Sequence, residues 1–195
     1  MMRMRTLSYT IREYTPADET AWLRCRVLAF LDTSFYDSVV PSKPAIDDPG
    51  LELVAVDETG GVVAIMDTGI EGGLATIDTV AVHPDHRRRG LGRQLLERTL
   101  QWARAQGATT LDAWTRDDAD TLAWYRSAGF AESDHYLHVY AFYYTDPAEP
   151  ARAIAEPRPG LRPMLVFGHA PLTDEERMRN EFARVHVDRR FAMPI

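Results

Sequence analysis

Hydrophobic and polar residues follow a two-residue period in several segments of the chain. Residues 7–13 alternate apolar and polar side chains, as a half-buried strand does. The turn at 58–61 separates two apolar runs, which predicts a β-hairpin. The composition typical of strands is found in six segments: 51–56, 62–70, 77–82, 109–114, 136–144 and 164–169.

Other segments place their apolar residues at helical spacing. Thr15 and Pro16 are residue types favoured at the start of a helix. Gly107 and Gly129 fit the left-handed position that ends many helices. The pattern therefore predicts helices over 15–31, 91–106, 117–127 and 174–185.

The order of these elements predicts one mixed α/β domain over residues 1–170 and a helical extension over 171–195. A helix between the strands at 77–82 and 109–114 makes a crossover, so these two strands should be parallel. Residues 145–163 hold five prolines and predict a loop within the domain. Met178, Phe182 and Val185 give the extension an apolar stripe, which could pack on a second protomer in a homodimer, on a functional site or on its own domain.

Composition and charge exclude some classes of protein. The 195 residues are 45% hydrophobic and 26% charged, as in ordinary globular domains. The net charge of −7 argues against a general nucleic-acid binder. Cys25 is the single cysteine, so no intrachain disulfide is possible and a reducing compartment is expected. Without a signal-like or membrane-length apolar run, we expect a cytoplasmic protein with no membrane partner.

A basic island lies between the strand at 77–82 and the helix at 91–106. Residues 83–93 contain four arginines and one aspartate, and Gly90 and Gly92 stand where the helix begins. A helix start exposes unpaired N–H groups and a partial positive charge, and glycine lets an anion approach the backbone. The segment lacks the residues of a P-loop and the third glycine of a dinucleotide fingerprint. It predicts an anion cradle, with a solvated loop or a nucleic-acid contact as alternatives.

Two segments resemble one known family. The sequence Arg87-Arg88-Arg89-Gly90-Leu91-Gly92 resembles the Arg/Gln-x-x-Gly-x-Gly/Ala signature of the GCN5-related N-acetyltransferase (GNAT) superfamily, and the preceding Val-Ala-Val-His-Pro resembles the end of that family's fourth strand. Tyr125, Gly129 and Phe130 match the family's Leu-Tyr-x-Lys-x-Gly-Phe segment. The resemblance implies an α/β fold with a twisted mixed sheet of six or seven strands, flanked by helices and splayed between the strands at 77 and 109.

The resemblance also implies an activity and a set of binding residues. Acetyl-coenzyme A would donate its acetyl group directly to a primary amine of a small molecule or peptide. The amides of the strand would polarise the thioester carbonyl, and those of the loop would hold the pyrophosphate. The implied acetyl-coenzyme A contacts are Val80, Ala81, Val82, Arg87, Arg88, Arg89, Gly90, Leu91, Gly92, Arg93, Asp118 and Tyr125.

Tyr125 matches the family tyrosine that protonates the leaving thiolate. A phenol with a pKa of about 10 is protonated at neutral pH and can donate that proton. A tyrosine before Gly-Phe could equally pack in the core. The sequence departs from the family at two positions, because Asp118 replaces an asparagine and Thr76 replaces the glutamate that acts as base.

The sequence therefore does not identify the residue that acts as the general base. Asp78 lies two residues beyond Thr76 on the same strand face and is the nearest substitute, so Asp78 and Tyr125 are the predicted catalytic residues. Asp112, His83 or a water-mediated route are the alternatives. Without a working base the protein would be a non-catalytic acyl-coenzyme A sensor.

Three other groups of residues are weaker candidates for a functional role: the histidines, the cysteine and the aromatic residues near the first helix. No metal site is expected, because His135 and His138 should lie on opposite strand faces, while His83 and His86 lie in a basic loop. Cys25 belongs to the first helix and is a poor candidate for a nucleophile. Aromatic residues of the first helix and the segment after it could line an acceptor pocket or belong to the core: Trp22, Phe30, Phe35 and Tyr36.

Overall fold

One mixed sheet of eight strands runs through residues 8–195, the part of the chain that the computed structural model describes. The strands are β1 (Thr10–Glu13), β2 (Gly50–Val56), β3 (Val62–Glu71), β4 (Leu74–Val82), β5 (Thr110–Thr115), β6 (Ala131–Phe142), β7 (Leu165–Ala170) and β8 (Arg184–Pro194). Their order across the sheet is β1-β2-β3-β4-β5-β8-β6-β7. Neighbours are antiparallel except β4 and β5, which are parallel as the crossover predicts.

The helices cover both faces of this sheet. They are α1 (Glu19–Phe30), α2 (Leu91–Ala105), α3 (Ala119–Ser127), α4 (Glu149–Ala153) and α5 (Glu175–Glu181). Helix α1 packs Trp22 against Val54 of β2, whereas α2 packs Leu95 on the side of Leu53. Because neighbouring residues of a strand point to opposite faces, α1 and α2 lie on opposite sides of the sheet. None of the helices within residues 8–195 has the length and apolar character needed to span a membrane.

The last part of the chain corrects the expected helical extension. The helix predicted over 174–185 is the shorter α5, and the residues from Arg184 onward form β8 between β5 and β6. This strand is one reason why the sheet has eight strands rather than six or seven. Val185, Val187 and Phe191 alternate with polar residues, a signal for a strand that the helical reading overlooked.

The apolar stripe of the tail packs on its own domain. Met178, Phe182 and Val185 are buried against Leu137 and Val139 of β6. The segment 145–163, predicted as a loop, contains α4, whose buried Glu149 accepts hydrogen bonds from the amides of β6 and of the residue before β8. The tail is thus a structural part of the sheet, and its stripe is not available for a second protomer.

Candidate functional site

The anion cradle is a left-handed turn of the backbone between β4 and α2. Gly90 has φ = 77° at the N-cap of α2, and Arg88 has φ = 60°. Among residues 8–195, Arg88 is the one non-glycine residue with a positive φ. Such strained residues cluster at ligand-binding sites, where the surrounding structure holds them. The geometry turns backbone N–H groups outward at the positive end of a helix of 15 residues.

Gly92 is required for a different reason than Gly90. A Cβ atom built on Gly92 would lie 3.3 Å from Nε1 of Trp124 in α3, so the start of α2 packs closely on α3. A Cβ on Gly90 would meet nothing closer than 3.8 Å, and its positive φ is the constraint. One glycine shapes the turn and the other lets the two helices approach.

The arginines of the cradle divide into those with structural contacts and those exposed to solvent. Arg87 donates from Nη2 to the carbonyl oxygen of Ala29 at 2.8 Å and from Nε to that of Val82 at 3.4 Å. It therefore holds the cradle to the end of α1. Arg93 pairs with Glu97 through an exposed contact of 3.3 Å. Arg88 and Arg89 are exposed to solvent beside the turn, where an anion would meet them.

The sheet opens beside this cradle. The pairing of β4 with β5 ends at Ile77 and Ala113, although β4 continues through Val82. The predicted splay is thus present, and the segment 80–82 borders the opening. A β-bulge lies at its inner end, because Asp67 pairs with Thr79 and Thr68 with Ile77, which leaves Asp78 as the extra residue.

Two carboxylates at the opening have contrasting surroundings. Asp112 is buried and accepts from Thr76 Oγ1 at 2.6 Å and from Arg190 Nε at 2.5 Å. Both of its oxygens are engaged, which disfavours it as a base. Asp78 remains exposed, and partial burial together with the charge of Asp112 raises its pKa, despite a backbone contact with Gly69. A raised pKa suits a group that must take up a proton.

Tyr125 lies in the core on the α2 side of the sheet. Its ring stacks on Phe191 at 5.3 Å and meets Phe130 edge-on at 5.3 Å. Burial and the charge of Asp112 hold the pKa of Tyr125 above its usual range. The hydroxyl is therefore protonated at neutral pH, as an acid must be, while the ring also serves as a core residue.

Asp118 makes structural contacts at the start of α3. Its carboxylate accepts from the Ser34 backbone N at 2.9 Å and from Ser34 Oγ at 2.5 Å. The contacts join the segment after α1 to the start of α3. A direct hydrogen bond between Asp118 and acetyl-coenzyme A would require these contacts with Ser34 to change.

The remaining candidates are engaged in local contacts or are buried. His83 Nδ1 accepts from the Asp85 amide at 3.2 Å at the far end of β4, and His86 contacts the Tyr9 hydroxyl at 3.1 Å. Within residues 8–195 there is no group of three or more His, Cys, Asp or Glu residues suited to a metal ion. Cys25 is buried, and this burial raises the pKa of its thiol to about 12, which keeps it from acting as a nucleophile.

The aromatic candidates separate into core and surface. Trp22 of α1 is fully buried, whereas the ring centroid of Phe35 lies 4.3 Å from the guanidinium carbon of Arg116 and that of Tyr36 lies 4.7 Å from that of Arg184. The sequence analysis missed Arg116 and the rings of β6 and β7 beside it. The alternation in Tyr-Leu-His-Val-Tyr at 136–140 was the available signal, because it places one set of rings on a single face.

Comparison with known proteins agrees with this arrangement. A family model described as the acetyltransferase (GNAT) family matches residues 8–130. A mycothiol acetyltransferase of Clavibacter michiganensis subsp. michiganensis is 37% identical over 87 residues, which are 44% of this chain and 28% of the relative. A [ribosomal protein bS18]-alanine N-acetyltransferase of Salmonella typhimurium is 43% identical over 60 residues, which are 30% of this chain and 40% of the relative.

A solved structure extends the likeness across the whole fold. The ribosomal-protein-alanine N-acetyltransferase of Brucella melitensis superposes with a TM-score of 0.60 at 21% identity, over 95% of this chain and 99% of that one. The matches to curated sequences cover less of each protein than this structural match does. The chain spans 28% to 52% of the length of the curated relatives it matches. The family model, over residues 8–130, includes the cradle and the opening.

Proposed function

Because the chain belongs to the acetyltransferase (GNAT) family, we propose that it transfers an acetyl group from acetyl-coenzyme A to a primary amine of a small molecule or peptide. One observation carries this proposal: the left-handed cradle at the start of α2 follows directly on the strand whose far half lacks a β5 partner. An anion held by the cradle would thus place a long, flexible arm in the opening of the sheet. Acetyl-coenzyme A has both parts.

The cradle and the opening would bind different parts of acetyl-coenzyme A. The amides around Gly90 and Gly92, with the exposed Arg88 and Arg89, would hold the pyrophosphate. The amides of β4 at 80–82 would hold the thioester carbonyl, and their fixed dipoles would stabilise the negative charge that develops on its oxygen.

The transfer requires two proton movements. The amine nitrogen forms a bond to the carbonyl carbon, and the bond from that carbon to sulfur breaks. Asp78 accepts the proton that the amine loses, and Tyr125 donates its proton to the departing thiolate. The buried Cys25 has no part, so the acetyl group passes directly between the substrates.

A second function is favoured by one specific contact. Thr76 stands at the position of the family base and donates to the buried Asp112, so neither residue offers a free carboxylate. If Asp78 does not serve as the base, the same cradle would bind acyl-coenzyme A without turnover, as a sensor does.

Two measurements test these functions. Titration calorimetry with acetyl-coenzyme A should show binding that DNA and RNA do not displace. Release of free thiol should then depend on an amine from a panel of polyamines, aminoglycosides, arylalkylamines and peptides. Binding without amine-dependent thiol release across the panel would favour the sensor, and absence of binding would refute both functions.

A further inference from the structure

Six aromatic or imidazole side chains form a continuous surface on one face of the sheet. The centroids of neighbouring rings are 4.6 to 5.2 Å apart, within the range of favourable ring contacts. We call this surface the ring platform; it consists of Trp114, Tyr136, His138, Tyr140, Phe167 and His169.

The outer rings of the platform are open to solvent. Trp114 is 37% exposed and Phe167 is 48% exposed, although both belong to strands of the sheet. The alternate residues of β6, Leu137 and Val139, are buried on the other face in the cluster that includes Met178 of α5. Exposed rings in contact with one another leave apolar faces that a flat ligand can cover.

Two inner rings of the platform have a polar atom that is hydrogen-bonded to Arg116. Buried Arg116 donates to the Tyr140 hydroxyl at 2.5 Å and to His138 Nδ1 at 3.3 Å. Burial and the charge of Arg116 lower the pKa of His138 to about 4, so this ring is neutral at pH 7 and stacks as an aromatic group. These contacts hold His138 and Tyr140 in place, so the apolar surface that a ligand can reach is that of the exposed outer rings, Trp114 and Phe167.

The platform begins at the opening between β4 and β5. Trp114 directly follows Ala113, the last β5 residue paired with β4. Along β8, Trp114 lies opposite Arg190 and Tyr140 opposite Arg184, six positions away. At about 3.4 Å per residue the platform extends roughly 20 Å from the opening. Asp78 lies at the near end, where an ammonium group would meet a carboxylate.

We infer that the acceptor amine carries an aromatic ring, which stacks on the ring platform while the amine lies in the opening beside Asp78. This inference rests on the proposed function and names its substrate class. The first ring beyond the opening is Trp114, in contact with Tyr136 at 5.0 Å. An amine separated from its ring by a short linker would reach both. The ring belongs to a free arylalkylamine or to a side chain near the N-terminus of a peptide.

Matched acceptors distinguish these sources. In the first arm 2-phenylethylamine is compared with 2-cyclohexylethylamine, which has the same carbon skeleton without the aromatic system. In the second arm the peptide amide Ala-Phe is compared with its cyclohexylalanine analogue. In at least one arm we expect kcat/KM to favour the aromatic member by roughly 2- to 10-fold, the size of one aromatic contact. Equal values in both arms would overturn the inference and leave the acetyltransferase function in place.

Variants of the platform test whether the preference for aromatic acceptors depends on its rings. Trp114→Leu and Phe167→Leu keep an apolar side chain and remove the ring, and Trp114→Leu should abolish the aromatic preference with unchanged affinity for acetyl-coenzyme A. Tyr144→Leu is the control, because Tyr144 is 76% exposed and contacts Phe142 and Tyr143 rather than platform rings. A preference that survives in both platform variants would place the ring elsewhere and refute the inference.

Two further outcomes, absence of turnover and a change in oligomeric state, also decide the inference. If no amine is acetylated, calorimetry of both amines with the coenzyme A-saturated protein replaces turnover, and equal affinities refute the inference. If Trp114→Leu and Phe167→Leu both leave the preference unchanged and either converts a dimer to a monomer, the platform is an interface between two copies and the inference is wrong.

Discussion

Asp78 and Asp112 are the same residue type on neighbouring strands, and their surroundings separate their roles. Asp112 is held by hydrogen bonds from Thr76 and Arg190, so its carboxylate has a fixed position in the site. Asp78 is the extra residue of a bulge and stays open to solvent. The charge of Asp112 helps to raise the pKa of Asp78, which couples the buried carboxylate to the exposed one.

Replacing Asp78 by Asn should lower turnover by about 10²- to 10⁴-fold, because a general base is lost. In the parent protein the rate should fall as the pH decreases through the raised pKa of Asp78, since the protonated carboxyl cannot accept a proton. The pH dependence of kcat/KM measures this acid limb.

Asp112→Asn is the matched control for that measurement. It removes a negative charge that raises the pKa of Asp78, so the acid limb should move to lower pH while activity persists. The same change breaks the buried contact with Arg190 and should cost about 2 kcal/mol of unfolding free energy. An acid limb that stays in place in Asp112→Asn and persists in Asp78→Asn would remove Asp78 from the mechanism.

Tyr125→Phe should reduce turnover by about 10²-fold or more and leave the affinity for acetyl-coenzyme A nearly unchanged. The phenylalanine ring can keep the stack on Phe191, so unfolding free energy should change little. Because the pKa of Tyr125 lies above its usual range, the parent should lose no activity through phenol ionisation at ordinary alkaline pH. Turnover within a few-fold of the parent, in a folded variant, would leave Tyr125 with its core role alone.

At the scale of elements, the start of α2 combines a strained turn with close helix packing. Arg88 and Gly90 adopt left-handed conformations, while Gly92 sits against Trp124. The turn presents the amides, and the contact of Gly92 with Trp124 joins the start of α2 to α3. Arg87 adds a third constraint by its bond to the end of α1.

Gly90→Val and Gly92→Val should each weaken acetyl-coenzyme A binding more than Arg88→Ala or Arg89→Ala does. The arginines are exposed and can substitute for one another, whereas the backbone geometry has no substitute. Titration calorimetry on folded variants compares the four.

Gly60→Val controls for backbone strain. Gly60 has φ = 83° in the β2–β3 turn, and a Cβ there meets nothing within 4 Å. This variant should lose stability as Gly90→Val does and keep its affinity for acetyl-coenzyme A. Unchanged affinity in both cradle variants would refute the assignment of the pyrophosphate to this turn.

At the scale of the whole molecule, β8 joins two parts of the sheet. It pairs with β5 on one side and with β6 on the other, and it supplies Phe191 to the core and Arg190 to Asp112. The C-terminal segment therefore connects the strands of the opening to those of the ring platform.

A chain truncated after Ala170 should fail to fold, because β5 and β6 lose the strand that joins them and the sheet is divided into two parts. Far-UV circular dichroism during heating should show no cooperative transition. Phe191→Ala is the milder control and should remain folded with a loss of about 3–5 kcal/mol from the cavity. A truncated protein that melts cooperatively near the parent temperature would show that β8 is dispensable.

The sequence by itself determined most of the element order and the place of the cradle, because both depend on local information. Apolar spacing within 91–106 predicts α2 wherever it packs, and the glycines at 90 and 92 carry their backbone properties with them. The strand pair around 58–61 and the crossover to β5 follow from turn chemistry and chain direction. The family of the chain was recognisable for the same reason.

Only the tertiary structure decided which residues distant in sequence come into contact. Arg190 neutralises Asp112 across 78 positions of sequence, and no local pattern records that contact. The residues from Arg184 to Pro194 form a strand because β5 and β6 leave a gap between them, which overrides the short helical period before it. The ring platform exists because three strands distant in sequence present their rings on one face. Pairing between strands, rather than the pattern within them, brings these groups together.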